Sequence, residues 1–189
     1  MREIALHLLD IAENSAAAES ENIIIEIHED LRHDLLSACV TDDGHGMDTV
    51  MAQKVQDPFY TTRTTRNVGL GIPLLKLAAE VADGCFKLKS EPGTGTRVEA
   101  FFRHSHIDRM PLGDLSSTFL TALISHPKMN WTFVYRITEK DGKSRDFVFE
   151  NAELKSELGG LSLTEPEILT FVRNLIEEGI NALVPETVN

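Results

Sequence analysis

The sequence predicts a mixed α/β fold of the α+β kind, built from helices and antiparallel strand hairpins. Residues 2–20 show helical spacing of apolar side chains and are rich in alanine, which favours helix. Two pairs of short apolar runs, within 22–40 and 85–102, are each separated by a polar or glycine-rich turn, as in β-hairpins. A second helical pattern, ending near Val81, lies between the two hairpins.

Composition is typical of a globular protein and limits the classes of partner. The 189 residues fit one domain, or one domain with a substantial appendage. Hydrophobic residues make up 42% and charged residues 25% of the chain, which are ordinary values. The formal net charge of −12 argues against a general binder of nucleic acid or of anionic membranes. A bound polyanion would therefore need a local positive field from Mg²⁺, backbone N–H groups and a few basic side chains.

Two further sequence features concern location and the cysteines. No apolar run approaches the roughly 18 residues of a membrane span, and no secretory signal is present. We therefore expect a cytoplasmic location. Cys39 and Cys85 lie in apolar, strand-like runs, and we interpret both as small buried side chains rather than as a disulfide or metal ligands.

The first helix carries a polar pair, Asp10 and Asn14, which are four residues apart and so share one face. The side-chain carbonyl of Asn14 is a suitable ligand for Mg²⁺, which prefers oxygen. Asp10 can orient or deprotonate an attacking water or hydroxyl, as a catalytic residue. The same pair also fits the solvent edge of an apolar helix. His7, one turn earlier, is interpreted as a helix-surface residue rather than as a phosphoacceptor.

The second strand leads into a carboxylate and glycine run, Asp42-Asp43-Gly44-His45-Gly46-Met47. Two glycines this close together permit positive φ and let the backbone approach a ligand. The Asp42 carboxylate can accept a hydrogen bond from an exocyclic amine, such as that of adenine. A plain strand-to-loop turn fits the same residues.

The stretch 57–67 is polar, rich in threonine and arginine, and lacks apolar periodicity. It fits a mobile loop with Phe59 as an aromatic anchor and two arginines that can reach phosphates, and it also fits a solvated connector. Gly69-Leu70-Gly71 then opens the second helix. Because a helix start exposes N–H groups and the positive end of its dipole, it favours a phosphate.

Residues 104–189 are predicted to form a helix, a hairpin and a final helix. The first helix covers 115–124 and is capped by Asp114 or Ser116. The hairpin turns at residues 140–143, and the final helix begins near Thr164 and ends near residue 183. The apolar stripe of the final helix fits either core packing or a dimer or partner surface.

Taken in order, these motifs resemble those of the ATP-binding domain shared by histidine kinases, Hsp90, DNA gyrase B and MutL. The resemblance covers residues 2 to about 103 and is nearest to the histidine-kinase branch. It therefore suggests an ATP-binding domain at 1–103 and an extension at 104–189. The matching motifs are Asp10-x-x-x-Asn14-Ser15 (asparagine box), 42–47 (first glycine box), 57–63 (lid), Gly69-Leu70-Gly71-Ile72 (second glycine box) and Gly93-Thr94-Gly95-Thr96 (last glycine box).

The resemblance implies a two-layer α/β sandwich, with helices on one face of a mostly antiparallel sheet, and ATP held with Mg²⁺. It implies that Asp42 binds the adenine amine and that Asn14 carries Mg²⁺. The remaining implied nucleotide contacts are Gly44, Gly46, Met47, Thr62, Arg63, Gly69, Leu70, Gly71 and Thr96.

The chain also departs from the family pattern. Asp43 stands where kinases commonly have asparagine, Arg63 stands where they usually have lysine, and no His-Glu-x-x-x-Pro phosphoacceptor sequence precedes Asp10. We therefore expect an ATP-binding signalling protein, a kinase or ATPase, that transfers the γ-phosphate to a partner protein in trans. The alternative is a nucleotide-gated interaction module with slow or no hydrolysis. In either case the expected partner is a protein, or a second copy in a homodimer, and neither nucleic acid nor a membrane.

Overall fold

The computed structural model describes residues 3–58, 71–157 and 165–183. It contains the helices and strands described above from the sequence, together with short helices at 49–54 and 151–157. The elements are α1 (Ile4–Ala17), β1 (Asn22–Asp30), β2 (Leu35–Asp42), α2 (Thr49–Lys54), α3 (Gly71–Val81), β3 (Cys85–Glu91), β4 (Gly95–Arg103), α4 (Leu115–Ser125), β5 (Asn130–Thr138), β6 (Ser144–Glu150), α5 (Asn151–Glu157) and α6 (Pro166–Leu183).

All six of these strands form one sheet, in the order β3-β4-β2-β1-β5-β6. Four of the five neighbouring pairs are antiparallel, and β1 and β5 run parallel, with Asn22 opposite Asn130. The predicted α+β class with a mostly antiparallel sheet is thus confirmed. The β5–β6 hairpin of the C-terminal part continues this sheet beyond β1.

The helices α1, α3, α4 and α6 pack as a second layer on one face of the sheet, and α1 lies between α3 and α4. Strand side chains alternate between the two faces of the sheet, and one face lies against the helices. In β1, for example, Ile23, Ile25 and Ile27 are buried against the helices, whereas the side chains between them are only partly buried. The core therefore lies between one sheet face and the helical layer.

An aromatic cluster forms the core under the C-terminal part of the sheet. Its centre is Phe119 of α4, whose ring centroid lies 4.9 Å from that of Phe133, 5.5 Å from that of Phe149 and 6.4 Å from that of Trp131. The Trp131 indole N–H donates to the carbonyl oxygen of His126 over 3.1 Å. We call Phe119, Trp131, Phe133 and Phe149 the aromatic cluster.

The two helices that flank this cluster agree with their predicted patterns. The carboxylate of Asp114 caps α4 by accepting a hydrogen bond from the backbone N–H of Ser117. In α6 the apolar stripe buries Val172 and Ile176, whereas Phe171 is 56% exposed. The predicted start of α6 at Thr164 lies outside the described residues.

The two cysteines occupy different environments. Cys39 is buried in β2, as predicted, and burial raises the pKa of its thiol to about 11. Cys85 is exposed at the start of β3, so the prediction of a buried side chain was wrong. The reason is that the odd-numbered positions of β3 face away from the helices. Among the described helices, none is both long enough and apolar enough to cross a bilayer.

Candidate functional site

The carboxylate of Asp42, at the end of β2, is held by three elements. Its Oδ2 accepts a hydrogen bond from the Ser15 hydroxyl of α1 over 2.6 Å. Its Oδ1 accepts from the backbone N–H of Gly44 over 3.0 Å and from that of Thr96 over 3.2 Å. The structure thus brings together three of the predicted site residues, Asp42, Gly44 and Thr96, from segments far apart in the sequence.

The turn after Asp42 packs so closely on its neighbours that two positions accept only glycine. A Cβ atom on Gly44 would lie 2.7 Å from the carbonyl oxygen of Ala18. Gly46 has a φ of +63°, and a Cβ there would lie 2.0 Å from the carbonyl oxygen of Glu91. Because a side chain at either position would require backbone displacement, these glycines fix the path of the turn.

The same turn is hydrogen-bonded to the end of α1 and to the β3–β4 connection. The backbone N–H of His45 donates to the carbonyl oxygen of Ala18 over 3.0 Å, and that of Gly93 donates to the carbonyl oxygen of His45 over 2.8 Å. Three chain segments therefore hold one another in place around Asp42.

Ser90 of β3 also belongs to this site, and sequence analysis did not identify it. Its Oγ accepts a hydrogen bond from the backbone N–H of Met47 over 2.8 Å. The same oxygen lies 3.1 Å from the carbonyl oxygen of Gly95 and 2.8 Å from the Thr96 hydroxyl. Ser90 is opposite Thr96, and Thr96 is opposite Asp42, so the three side chains form a row across β3, β4 and β2. We call this set the Asp42 row.

The alternation of inward-facing and outward-facing side chains along β3 could have indicated that Ser90 faces the helical layer. Phe86 and Leu88 precede it at the inward-facing positions of β3, so a serine at position 90 must also face the helical layer. What the pattern lacks is the register of β3 against β4, which places this serine beside Thr96.

The second part of the site lies where α1 meets the start of α3. Asp10 and Asn14, which their spacing places on one face of α1, are both half-buried. A Cβ atom on Gly71 would lie 2.0 Å from Asp10 Oδ2, so the Asp10 carboxylate lies directly against the first residue of α3. The predicted site residues Thr62, Arg63, Gly69 and Leu70 lie outside the described residues.

His7 occupies the α1 face that packs on α3, and it is completely buried. The prediction of a helix-surface residue was wrong because α3 covers this face. The ring lies beside the backbone of Gly71, the first residue of α3. Burial is the largest cause that lowers the pKa of His7, and it favours the neutral ring.

Asp43, one of the departures from the family pattern, ties the end of β2 to the start of β1. Its carboxylate accepts hydrogen bonds from the backbone N–H groups of Glu21 and Asn22, both over 2.9 Å, and from the Asn22 side-chain amide over 2.6 Å. Burial acts to raise the pKa of Asp43, but the hydrogen bonds from Asn22 and Glu21 outweigh it and hold the pKa below its ordinary value.

The chain can now be compared with known proteins. The family model described as "Histidine kinase-, DNA gyrase B-, and HSP90-like ATPase" matches residues 1–106. The chain is similar to the sensor protein kinase FleS of Pseudomonas aeruginosa, with 36% identity over 89 residues, which cover 47% of this chain and 22% of FleS. It is also similar to the non-motile and phage-resistance protein of Caulobacter vibrioides, with 30% identity over 115 residues, which cover 58% of this chain and 14% of that protein.

Among solved structures, the chain is similar to the MutL ATPase domain of Aquifex aeolicus complexed with ADP. The identity is 15% and the TM-score 0.45, over 71% of this chain and 60% of that one. The chain spans less than a quarter of the length of either bacterial relative. Since the family model covers more than half of the 189 residues, the chain belongs to the family of histidine kinase-, DNA gyrase B- and HSP90-like ATPases.

Proposed function

We propose that this chain binds ATP with the adenine amine on Asp42 and the phosphates towards Asn14 and the start of α3. The carboxylate of Asp42 carries this proposal. An ionised carboxylate offers about four acceptor positions. Hydrogen bonds from Ser15, Gly44 and Thr96 occupy three of them. The remaining position is available to an N–H of an exocyclic amine, in a carboxylate that is already oriented.

The phosphate side of the proposed site combines Asp10, Asn14 and Gly71. The N-terminus of α3, which begins at Gly71, favours negative charge through the unpaired N–H groups of a first helical turn and through its dipole. The two glycine-box residues before it, Gly69 and Leu70, and the lid residues Thr62 and Arg63 remain proposed nucleotide contacts.

The residues present fit Mg²⁺ brought in with the nucleotide. The described residues contain no group of three or more His, Cys, Asp or Glu side chains that could hold a metal ion by themselves. Mg²⁺ commonly keeps waters and phosphate oxygens as ligands and takes only one or two from the protein. The amide oxygen of Asn14 would be that protein ligand, and the ion would offset the charge of the phosphates.

For the reaction, we propose that the γ-phosphate is transferred to a partner protein in trans. Asp10 would orient or deprotonate the attacking group, and its contact with Gly71 at the start of α3 supports that position. The similarity to a protein named as a sensor protein kinase supports a kinase over other members of the family. A cytoplasmic location remains a prediction from the sequence.

A nucleotide-gated interaction module is the second candidate, and the attachment of α1 favours it. The backbone N–H groups of Ile4 and Ala5 donate to the carbonyl oxygens of Pro111 and Leu112, over 3.0 and 2.9 Å. The helix that carries Asp10 and Asn14 is thereby joined to the proposed extension, residues 104–189. A shift of α1 on nucleotide binding would reach α4 and a partner docked there.

The site assignment is tested by calorimetric titration with Mg-ATP. Asp42→Asn should abolish measurable ATP binding, because an amide in that position offers fewer acceptor sites and places N–H groups among donors. Asp108→Asn is the control, since Asp108 is exposed and lies outside the Asp42 row. Unchanged ATP affinity in the Asp42 variant would contradict the assignment.

The two candidate functions are separated by following the γ-phosphate. Mg-ATP labelled at this phosphate is incubated with the protein and an extract of its host. Label on a second protein, lost with Asn14→Ala, supports the trans-acting kinase. Label that remains in ATP, or appears only as free phosphate, supports the other candidate. In that case hydrogen exchange in α4 must change on addition of Mg-ATP, and an unchanged exchange pattern would contradict the gated module.

A further inference from the structure

We propose that Ser90 is a positioning residue that sets the nucleobase preference of the site by fixing the direction of the Thr96 hydroxyl. This inference rests on the proposed binding of ATP at Asp42. It concerns the class of base that the site accepts, and it follows from the hydrogen-bonding capacity of the Asp42 row.

The Ser90 hydroxyl has one donor proton and two acceptor positions, and its three contacts use all of them. The backbone N–H of Met47 occupies one acceptor position, at 2.8 Å. The proton goes to the carbonyl oxygen of Gly95, at 3.1 Å. The third contact, 2.8 Å to the Thr96 hydroxyl, is then satisfied only if Thr96 is the donor.

This arrangement orients Thr96. Because its hydroxyl proton points towards β3 and Ser90, the Thr96 oxygen can act towards a ligand only as an acceptor. Asp42 is the residue opposite Thr96 on β2, and the two are already joined by the Thr96 N–H. The site therefore presents two acceptors side by side, the Asp42 carboxylate and the Thr96 hydroxyl oxygen.

The surroundings keep this orientation in place. Ser90 and Thr96 are both partly buried, and hydrogen bonds in such a network strengthen one another. The Gly95 backbone packs closely on β2, since a Cβ atom there would lie 2.0 Å from the carbonyl oxygen of Asp42. The Gly95 partner of Ser90 is thus placed by packing within the protein.

Two adjacent acceptors favour a purine with an amine at position 6, because that amine has two N–H donors. A 6-oxo purine, such as hypoxanthine or guanine, would direct carbonyl lone pairs at these acceptors. A Thr96 hydroxyl that was free to rotate could donate to that carbonyl instead. By holding the Thr96 proton, Ser90 removes this option, and the site discriminates between the two kinds of base.

The test compares the dissociation constants of Mg-ATP and Mg-ITP for the full chain. The two nucleotides share ribose and phosphates and differ at position 6 of the base. We expect the unaltered protein to prefer ATP. In Ser90→Ala the ratio of the two constants should fall about tenfold, corresponding to about 1.4 kcal/mol. Ser90→Thr keeps a hydroxyl and should retain most of the preference.

Two further variants distinguish a loss of the Ser90 hydroxyl group from a loss of folding. Ser90→Cys keeps the size of the side chain but has only a weak hydrogen-bonding group, so the ratio should again fall. In a Thr96→Val background the ratio is already lowered, and Ser90→Ala should change it no further if Ser90 acts through Thr96. Circular dichroism and thermal unfolding confirm that each variant is folded.

Several results would overturn the inference. If Ser90→Ala and Ser90→Cys weaken ATP and ITP by the same factor, Ser90 only supports the turn. If the unaltered protein binds ATP and ITP equally well, the site has no such preference, although the proposed ATP binding survives. If the unaltered protein binds neither nucleotide, the proposed function itself fails.

Discussion

The two ends of the six-stranded sheet are built by different means. At one end, β3, β4 and β2 carry the Asp42 row, where hydrogen bonds of 2.6 to 3.2 Å join side chains to a turn and to α1. At the other end, β5 and β6 carry the aromatic cluster, where packed rings fill the space under α4 and α6. The first end depends on the positions of individual hydrogen-bonding atoms, whereas the second depends on the volume that the aromatic rings fill.

Substitutions at the two ends should therefore affect different properties of the protein. Removing volume from the aromatic cluster should lower the free energy of unfolding and leave nucleotide affinity unchanged in the folded protein. Removing one hydrogen-bonding atom from the Asp42 row should lower nucleotide affinity with a smaller loss of stability. The following predictions run from the largest expected effect to the smallest.

Phe119→Ala should cause the largest loss, about 3–5 kcal/mol in the free energy of unfolding, because it opens a cavity at the centre of the aromatic cluster. Denaturant unfolding measures it. Phe171→Ala is the control: Phe171 is 56% exposed on α6, so its replacement should cost less than about 0.5 kcal/mol. A change in ATP affinity for folded Phe119→Ala would break the distinction between the two ends.

Gly95→Ala should impair both stability and ATP binding. The φ of Gly95 is +117°, and its added Cβ would displace the backbone carbonyl of Asp42. Strain and overpacking together should cost about 3 kcal/mol. Gly93 also has a positive φ, +76°, but a Cβ there would meet nothing within 4 Å, so Gly93→Ala should cost only about 1 kcal/mol. Equal losses in the two variants would show that the contact with Asp42 is unimportant.

Asn151→Ala tests a polar contact at the aromatic end. Asn151 is fully buried, accepts a hydrogen bond from the Trp131 backbone N–H over 2.8 Å and donates one to the Met129 carbonyl oxygen over 3.0 Å. Leaving these groups unpaired should cost about 1–3 kcal/mol, with no change in ATP affinity. The exposed Asn174 of α6 supplies the control variant, Asn174→Ala, which should be neutral. A loss of ATP affinity in Asn151→Ala would show that hydrogen bonds at the aromatic end also contribute to nucleotide binding.

Asp43→Asn should have the smallest effect, a loss of stability at neutral pH that disappears in acid. Because the folded-state pKa of Asp43 lies below its ordinary value, ionised Asp43 stabilises the fold above the unfolded-state pKa of about 4. That contribution is lost as the pH falls through the folded-state pKa. The variant should therefore lose less stability than the unaltered protein between about pH 5 and pH 2.

Thermal unfolding across this pH range measures the effect of Asp43→Asn. The exposed Asp108 is the control site, because its carboxylate accepts no hydrogen bond from the described residues. Asp108→Asn should keep the pH profile of the unaltered protein. If Asp43→Asn also kept the pH profile of the unaltered protein, the hydrogen bonds between the Asp43 carboxylate and the start of β1 would not contribute to stability.

Much of the fold was predictable because the information lies within single segments. Apolar periodicity predicted the helices and strands, and Asp42 and Gly44 were predicted from one short run of sequence. Asp10 and Asn14 could be assigned to one helix face by spacing alone. These features depend on residues close together in the chain, for which local patterns suffice.

The rest depends on contacts between distant segments. Ser90 acts through the register of β3 against β4, which local periodicity does not specify. His7 looked like a surface residue because its burial depends on α3, which begins more than 60 residues later. Asn151 likewise follows an edge strand, and only the position of β5 shows that its amide is enclosed.

The parallel pairing of β1 with β5 has a consequence for synthesis of the protein. Asn22 and Asn130, which face each other at the start of this pair, are 108 positions apart. At about 5–20 residues per second, a ribosome needs about 5–20 seconds to make the intervening chain. During that time one edge of β1 offers unpaired N–H and C=O groups to any other extended chain nearby. Slow translation between the two strands should therefore increase aggregation of the nascent protein.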